Sequence, residues 1–430
     1  SKWTLMRLGL REMSAGMSSV LILSVLSRTL HVELGVALGV VTIVLASYNL
    51  AAPVALAVGH RSDTRPIFGR KRTPYIIGGA IITGLAVAGA PHVAGRLAHG
   101  VDAGSIGLSL LLFVAMGFGM YGAGTVFFAL IADRAGPADR GHAASVVYLE
   151  LMVGVLAGVA LTGAVVEDHA PANLGTLFGL AGLIVVVLST FAVWGQEPRG
   201  VPAQEETPHA AAPSLRSAVR TIAAVPQARV FFAFMVLSTL FLFLQQAVLT
   251  SFGGEVLGLS VASTSGFSAM LTIGTIIGMV TAGRPFAEQF GYHTVAMTGL
   301  SLSVVAFGVL AIAAVAQATP LAWLTILFLG FSSGIFNVSS LALMMGMADR
   351  RRTALFMGAW TLAHALADGT ATAGGGAVYE AAHRLFNSVP GGYASVFAIE
   401  AIGLALCLPL LRKVDPGAFA AEAGRDLTVR

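Results

Sequence analysis

Long apolar stretches fill this chain, and short polar segments separate them. Twelve of the stretches have roughly 20 residues or more, which is enough for a helix rising ~1.5 Å per residue to cross a hydrocarbon core ~30 Å thick. The pattern therefore predicts an all-α, polytopic membrane protein with twelve transmembrane helices. The predicted spans are Leu8–Leu30, Val36–Val58, Tyr75–Ala94, Ile106–Ile131, Ala143–Val166, Leu174–Trp194, Val230–Thr250, Ser263–Thr281, Thr294–Ala316, Leu321–Met347, Ala354–Val378 and Tyr393–Leu411.

Composition agrees with this pattern and narrows the function. Of the 430 residues, 56% are hydrophobic and only 11% are charged, which leaves little sequence for a soluble domain. The sequence has no nucleotide-binding loop, zinc-ligand spacing or nucleophile elbow, so we do not expect an enzyme. The single cysteine, Cys407, excludes an intrachain disulfide and a multi-cysteine metal site.

Basic residues are concentrated in every second gap between the apolar stretches. Of the 25 Lys and Arg residues, only Arg28, Arg96 and Arg384 fall in the other gaps. Cytoplasmic loops of membrane proteins are enriched in Lys and Arg, so both termini are expected in the cytoplasm, with the first apolar run retained as a helix. This topology also accounts for the net charge of +4, and nucleic-acid binding is not expected.

A sequence repeat indicates two related halves. The polar stretch 195–229 is predicted to be a cytoplasmic linker between six-helix halves at 1–194 and 230–430. Two such repeats about an axis along the membrane normal resemble the major facilitator arrangement. The repeated elements are Gly117-Phe118-Gly119 leading to Ala132-Asp133-Arg134, and Gly330-Phe331-Ser332 leading to Ala348-Asp349-Arg350.

The loop after the second predicted span supports the same arrangement. Gly59 and Asp63, followed by Gly69, Arg70 and Arg72, resemble the superfamily's signature loop, with three extra residues before the second glycine. A glycine permits close helix approach, and a carboxylate can face a helix N-terminus, so we expect a cytoplasmic gate here. The alternative is that these charges serve only topology.

Ionisable side chains at membrane depth are costly unless they line a cavity or have a partner. His364 and Asp368 are four residues apart, on one face of the eleventh span, where the carboxylate can orient the imidazole for proton relay or metal ligation. Glu150 in the fifth span is a second proton-site candidate. For all three, a purely structural hydrogen bond is the alternative.

Other polar residues in the spans carry weaker expectations. Gln246 and Asn337 are expected to form interhelical hydrogen bonds or to contact a ligand. Glu400 is expected to partner another helix or a subunit, whereas Glu12 is expected to snorkel beside its neighbour Arg11. Arg28 and Glu33 either pair, bind a partner, or anchor the end of the first span.

Several segments in both halves form a recognisable set. They are Arg28 with His31-Val32-Glu33-Leu34-Gly35; Arg61-Ser62-Asp63-Thr64 with Gly69 and Arg72 to Ile76; Gly253 to Val261; Gly358-Ala359-Trp360; and Tyr393-Ala394 with Val396-Phe397 and Ile399-Glu400-Ala401. Together, and in this order, they resemble the bacteriochlorophyll delivery family of the major facilitator superfamily, whose members are PucC-like light-harvesting complex assembly factors.

The resemblance implies a membrane assembly factor that binds bacteriochlorophyll or chlorophyll and delivers it to antenna polypeptides. It implies antenna or reaction-centre polypeptides as partners, chlorophyll synthase as a further candidate, and the bacterial inner or intracytoplasmic photosynthetic membrane as the location. The pigment's magnesium takes an axial ligand, for which His364 is the first candidate, followed by Glu150, Gln246 and Asn337. Two alternatives remain open: a proton-coupled transporter of a small hydrophobic solute, using Glu150 or Asp368, and a pigment-free docking scaffold.

Overall fold

The computed structural model describes residues 2–134, 140–165, 173–197, 226–282, 289–347 and 353–414. Apart from the two interruptions given below, the described residues of the predicted spans are almost all helical, and the described residues form no strand beyond one isolated bridge between Ile67 and Arg70. The all-α prediction is confirmed. The helices are α1 (Lys2–Val20), α2 (Leu38–Ala46), α3 (Val54–Thr64), α4 (Thr73–His99), α5 (Ala103–Arg134), α6 (Arg140–Val165), α7 (Leu174–Val193), α8 (Pro226–Phe243), α9 (Leu249–Glu255), α10 (Val261–Thr281), α11 (Tyr292–Ala316), α12 (Thr319–Met347), α13 (Thr353–Phe386) and α14 (Val389–Arg412).

Nine helices in the described part of the chain are long and apolar enough to cross a membrane. The first of them extends α1 through two π-helical segments, Leu21–Leu26 and Thr29–Glu33. Shorter apolar helices, Leu38–Ala51 and Arg229–Phe243, occupy the second and seventh predicted spans. π-Helical segments inside a helix are uncommon and often occur at functional sites, so the end of the first span is a candidate functional region.

Two predicted spans are interrupted rather than continuous. In the second, α2 continues as a 3-10 helix over Ser47–Ala51, and a turn at residues 52–53 separates it from α3. The turn contains Pro53, a residue that disfavours a continuous helix. The seventh was predicted as one helix over Val230–Thr250, and this was wrong: α8 ends at Phe243, residues 244–248 form turns, and α9 begins at Leu249. Residues 244–248 contain no proline or glycine, so a contact from elsewhere must stabilise this interruption.

Close contacts divide the chain into two compact units. The first comprises Ser1–His209, Gln246–Ala269 and Thr372–Ala377; the second comprises Ala210–Gln245, Met270–Ala371 and Val378–Arg430. The predicted linker, 195–229, lies mostly outside the described residues, so the boundary at this segment stays a prediction. The core of the first unit is apolar and includes Leu21, Val44, Val87, Phe178 and Ala247, all of them buried.

Glycines allow α1 and α6 to approach closely in the first unit. A Cβ atom built on Gly16 would collide with the carbonyl oxygen of Leu151, and one built on Gly154 would collide with that of Met13. Small residues at helix contacts are how membrane helices bring their backbones together in the absence of a hydrophobic driving force. The packing of α1 on α6 fixes the position of Glu150, which lies one turn before Gly154.

Candidate functional site

Arg28 lies at the end of the first span and is almost fully buried, with 4% of its surface exposed. Its Nη1 donates to Oε1 of Glu33 at 2.6 Å, and its Nη2 donates to the carbonyl oxygen of Leu259 at 2.7 Å. Two charge-assisted bonds hold the guanidinium in one orientation. Of the alternatives for Arg28 and Glu33, the structure has them paired.

A second contact, between an imidazole and a carboxyl group, lies on the same two segments. Nε2 of His31 is 3.1 Å from Oε2 of Glu255, and Nδ1 of His31 donates to the carbonyl of Val36 at 2.8 Å. Gly254 allows this approach, because a Cβ at that position would lie 2.9 Å from Nε of Arg28. The segments 28–35 and 253–261, both singled out by the family resemblance, therefore contact each other within the first unit. We call Arg28, His31, Glu33, Glu255 and Leu259 the Arg28 cluster.

Hydroxyl groups continue this contact deeper into the first unit. The hydroxyl of Ser27 donates to the carbonyl of Ala247 at 2.5 Å, and that of Thr250 donates to the carbonyl of Ser24 at 3.0 Å. Both bonds join the π-helical part of the first span to the turn and helix that follow residue 245. The side-chain oxygen of Gln246 is buried here and has no hydrogen-bond partner among the described residues.

His364 lies on α13 in the second unit, and its imidazole is half-buried. Its Nδ1 is 3.4 Å from the hydroxyl oxygen of Thr239, and its ring meets that of Phe243 edge to face, with 5.8 Å between the ring centroids. Asp368 follows one turn later on the same helix, so the two residues share a helix face, as their four-residue spacing predicts. Asp368 is also half-buried. The site thus combines an imidazole, a hydroxyl and an aromatic face.

Glu400 lies on α14 and is completely buried. The backbone N–H of Gln245 donates to its Oε1 at 2.8 Å, so its partner is a backbone group of the interrupted seventh span. Asn337, the remaining amide candidate, is half-buried on α12. Glu400 is expected to partner another helix or a subunit, whereas its observed partner lies in the turn between α8 and α9; no local pattern in the sequence points to this contact.

Glu150 and Glu12 both lie on the helix pair α1 and α6. The carboxyl group of half-buried Glu150 occupies the space above Gly9, where a Cβ atom would collide with it. Glu12 is ion-paired with Arg11, and the two side chains are only 6% and 11% exposed. The expected snorkelling of Glu12 is wrong, because Arg11 turns inward, donates to the carbonyl of Met120 at 3.3 Å and lies over the ring of Phe127.

The predicted cytoplasmic gate loop is tightly folded. A Cβ at Gly59 would lie 3.2 Å from the Cγ2 atom of Thr125, and Gly69 has a φ of 70°, a conformation that favours glycine. The backbone of Arg70 pairs with that of Ile67, and Nη1 of Arg72 donates to the hydroxyl of Ser62 at 2.9 Å. The side chain of Asp63 lies outside the described part of the chain, so its role stays a prediction.

Glu197 provides a carboxylate at this loop that the sequence reasoning missed. It follows α7 and accepts hydrogen bonds from the backbone N–H groups of Lys71, Arg72 and Thr73, at 2.5, 3.0 and 2.9 Å. The hydroxyl of Thr73 donates to it as well, at 3.1 Å. A negative charge at the first turn of α4 is favourable because that turn has unpaired N–H groups. The only signal in the sequence was an acidic residue directly after a span.

Comparison with known proteins identifies the family that this sequence matches. The profile of a family described as PUCC protein matches residues 25–419. The chain is 30% identical over 397 residues to "Protein PucC" of Rhodovulum sulfidophilum, covering 88% of this chain and 85% of the relative. It is 33% identical over 379 residues to "Bacteriochlorophyll synthase 44.5 kDa chain" of Rhodobacter capsulatus, covering 84% of each. A solved structure of a D-xylose–proton symporter superposes with a TM-score of 0.71 at 16% identity over 95% of this chain and 98% of the symporter, which confirms the major facilitator fold.

Proposed function

The chain belongs to the PucC family, and from this membership we propose that it is a membrane assembly factor for photosynthetic light-harvesting or reaction-centre complexes. In this role it binds bacteriochlorophyll or chlorophyll and delivers the pigment to antenna polypeptides. The family match over residues 25–419 is the observation that carries the proposal. One relative is named as a bacteriochlorophyll synthase chain; for this protein we propose a non-enzymatic part in the same pigment chemistry.

The residues around His364 fit a chlorophyll-type pigment. When bound, such a pigment would supply a magnesium ion, which nitrogen and oxygen donors of a protein can ligate. His364 would hold the magnesium, Thr239 would orient the imidazole through its hydroxyl, and Phe243 would provide apolar ring contact. Glu150, Gln246 and Asn337 are the secondary ligand candidates.

Partners and location follow from the same proposal. The partners are antenna or reaction-centre polypeptides, with chlorophyll synthase as an upstream source of pigment. Nine apolar helices in the described residues support residence in the bilayer, which we propose to be the bacterial inner or intracytoplasmic photosynthetic membrane, with both termini cytoplasmic. The distribution of Lys and Arg supports this orientation.

A second candidate function is proton-coupled transport of a small hydrophobic solute. The observation in its favour is that Glu150 and Asp368, two carboxyl groups at membrane depth, are each half-buried rather than enclosed. A carboxyl group at membrane depth that is not fully enclosed is a candidate to exchange a proton during a transport cycle. The major facilitator fold is compatible with both functions and does not discriminate between them.

Complementation separates the two functions. We expect this chain, expressed in a pigment-synthesising bacterium that lacks its own PucC-family proteins, to restore antenna absorption of the membranes. Glu150→Gln and Asp368→Asn should leave that restoration largely intact, because both variants keep His364 and an oxygen donor at the substituted position. Transport would be favoured instead if antenna absorption were not restored while membrane vesicles accumulated a solute in a proton-dependent manner, and if either substitution abolished the accumulation.

A further inference from the structure

Glu400 is the most completely buried acidic side chain in the described part of the chain, with 0% of its surface exposed. Three neighbours on the same face of α14, Val396, Phe397 and Leu404, are equally buried and apolar. One carboxyl oxygen accepts the backbone N–H of Gln245. The other, Oε2, has no hydrogen-bond partner among the described residues.

Among the described residues, no ion pair of Glu400 is formed with the helices that pack against α14, and the charged groups of these helices lie several turns away. The only charged residue of α8 is Arg229, more than four turns before Gln245. On α11 the only titratable groups are Tyr292 and His293, and His293 bonds to the carbonyl of Leu411, three turns from Glu400. The charged residue at the end of α14 itself, Arg412, lies equally far along the helix.

The remaining neighbour is α13, which meets α14 two turns away from Glu400. There Tyr379 packs on Tyr393 with 4.4 Å between ring centroids, and His383 stacks on Tyr379. Both ring contacts lie two turns or more from Glu400 along the chain, and Oε2 of Glu400 has no hydrogen-bond partner among the described residues. A charged carboxylate in such a setting would have one hydrogen-bond donor, whereas buried carboxylates need several donors or an ion partner to remain ionised.

We propose that Glu400 is a proton-binding site, and that its bound proton is linked to the interruption of the seventh span at residues 244–248. In the conformation described, Oε2 carries the proton and Oε1 accepts the N–H of Gln245. Release transfers the proton to water and leaves an anion in apolar surroundings. The interruption must then rearrange to bring donors or water to Glu400, so the proton and the backbone conformation are coupled. This proposal goes beyond the proposed function and does not depend on a pigment.

Infrared difference spectroscopy of the full chain in lipid nanodiscs tests the proton directly. At neutral pH, the spectrum of the wild type minus that of Glu400→Gln should contain the carbonyl band of a protonated carboxylic acid. Asp102→Asn is the matched control: Asp102 lies in an exposed loop, and the hydrogen bond from the backbone N–H of Ser105 lowers the pKa of its carboxyl. Its difference spectrum should contain carboxylate bands instead.

Carboxylate bands in the Glu400→Gln difference would overturn the proposal. If Glu400→Gln does not fold, Glu400→Asp keeps an acid at the position, and a protonated band at a shifted frequency supports the same conclusion, whereas carboxylate bands contradict it.

Hydrogen exchange tests the link to the backbone. Glu400→Leu removes the acceptor and should accelerate exchange of the Gln245 amide by about fivefold, the factor for loss of one net hydrogen bond. Glu400→Gln, which keeps an acceptor oxygen, should not change it. Equal exchange in all three proteins would refute the coupling.

Discussion

Arg28 is a buried cation that two acceptors hold in one orientation, and it joins segments 231 residues apart in the chain. We expect Arg28→Leu to lower the free energy of unfolding by about 1–3 kcal/mol, because the carbonyl of Leu259 and the carboxylate of Glu33 lose their donor in a poorly hydrated place. Unfolding in detergent micelles, followed by circular dichroism, measures the change. Arg384→Leu, at an exposed position near another helix end, is the control and should change stability by less than about 0.5 kcal/mol. Equal stability of the two variants would contradict the role of Arg28.

His364 is the residue on which the pigment proposal depends most directly. We expect His364→Leu to reduce the pigment that copurifies with the protein, because leucine cannot ligate magnesium. His92→Leu is the matched control, since His92 is an exposed histidine on another membrane helix, α4. Pigment content and absorption maxima of both variants report the result. Unchanged stoichiometry and spectrum in His364→Leu would remove His364 from the site.

Single residues were predictable where the information is local. The five-residue spacing of Arg28 and Glu33 at a span end identified a candidate pair, and the pair is present. The contacts of His31 with Glu255 and of Glu197 with the first turn of α4 join residues far apart in sequence, and no periodicity or motif encodes them. The inward orientation of Arg11 was missed because snorkelling assumes that the nearest polar surroundings are the lipid headgroups, whereas here they lie inside the bundle.

At the scale of helices, the contact of α1 with α6 depends on glycine. We expect Gly154→Ala to destabilise the protein by about 1–3 kcal/mol, because the added methyl would collide with the carbonyl of Met13 and the helices must separate. Gly163→Ala lies on the same helix with nothing within 4 Å of the added atom, so it should be neutral or stabilise by up to about 1 kcal/mol through helix propensity. Thermal unfolding of the two variants compares them. The same sign of change for both would show that α1 and α6 are not packed as described.

Hydropathy predicted where the helices lie, but it did not predict where a helix is interrupted. Pro53 signals the interruption in the second span, since proline lacks an N–H and disfavours helix in the residue before it. The seventh span has no proline at 244–248. The backbone N–H of Gln245 donates instead to Glu400, on a helix that begins more than 140 residues later. Sequence patterns describe one segment at a time, so an interruption stabilised by another segment escapes them.

For the whole molecule, repeated sequence patterns predicted the fold, which single residues could not do. Twelve apolar stretches and the echo between Gly117-Phe118-Gly119 and Gly330-Phe331-Ser332 were sufficient for the major facilitator fold, because bilayer thickness and backbone hydrogen bonding leave few alternatives. The packing of residues 246–269 with the first compact unit was not predictable, because it depends on individual polar contacts such as that of Thr250 with Ser24. Orientation of the termini stays a prediction from the distribution of Lys and Arg.

The absorption spectrum of the gently purified protein is the most direct test of the central claim, that this member of the PucC family handles chlorophyll-type pigment during antenna assembly. The protein is to be isolated in mild detergent from a pigment-synthesising host, and the accompanying polypeptides identified by mass spectrometry. We predict stoichiometric chlorophyll-type absorption together with antenna subunits. Antenna subunits without pigment would contradict pigment binding and leave a docking role, and an intact preparation with neither would contradict the assembly function.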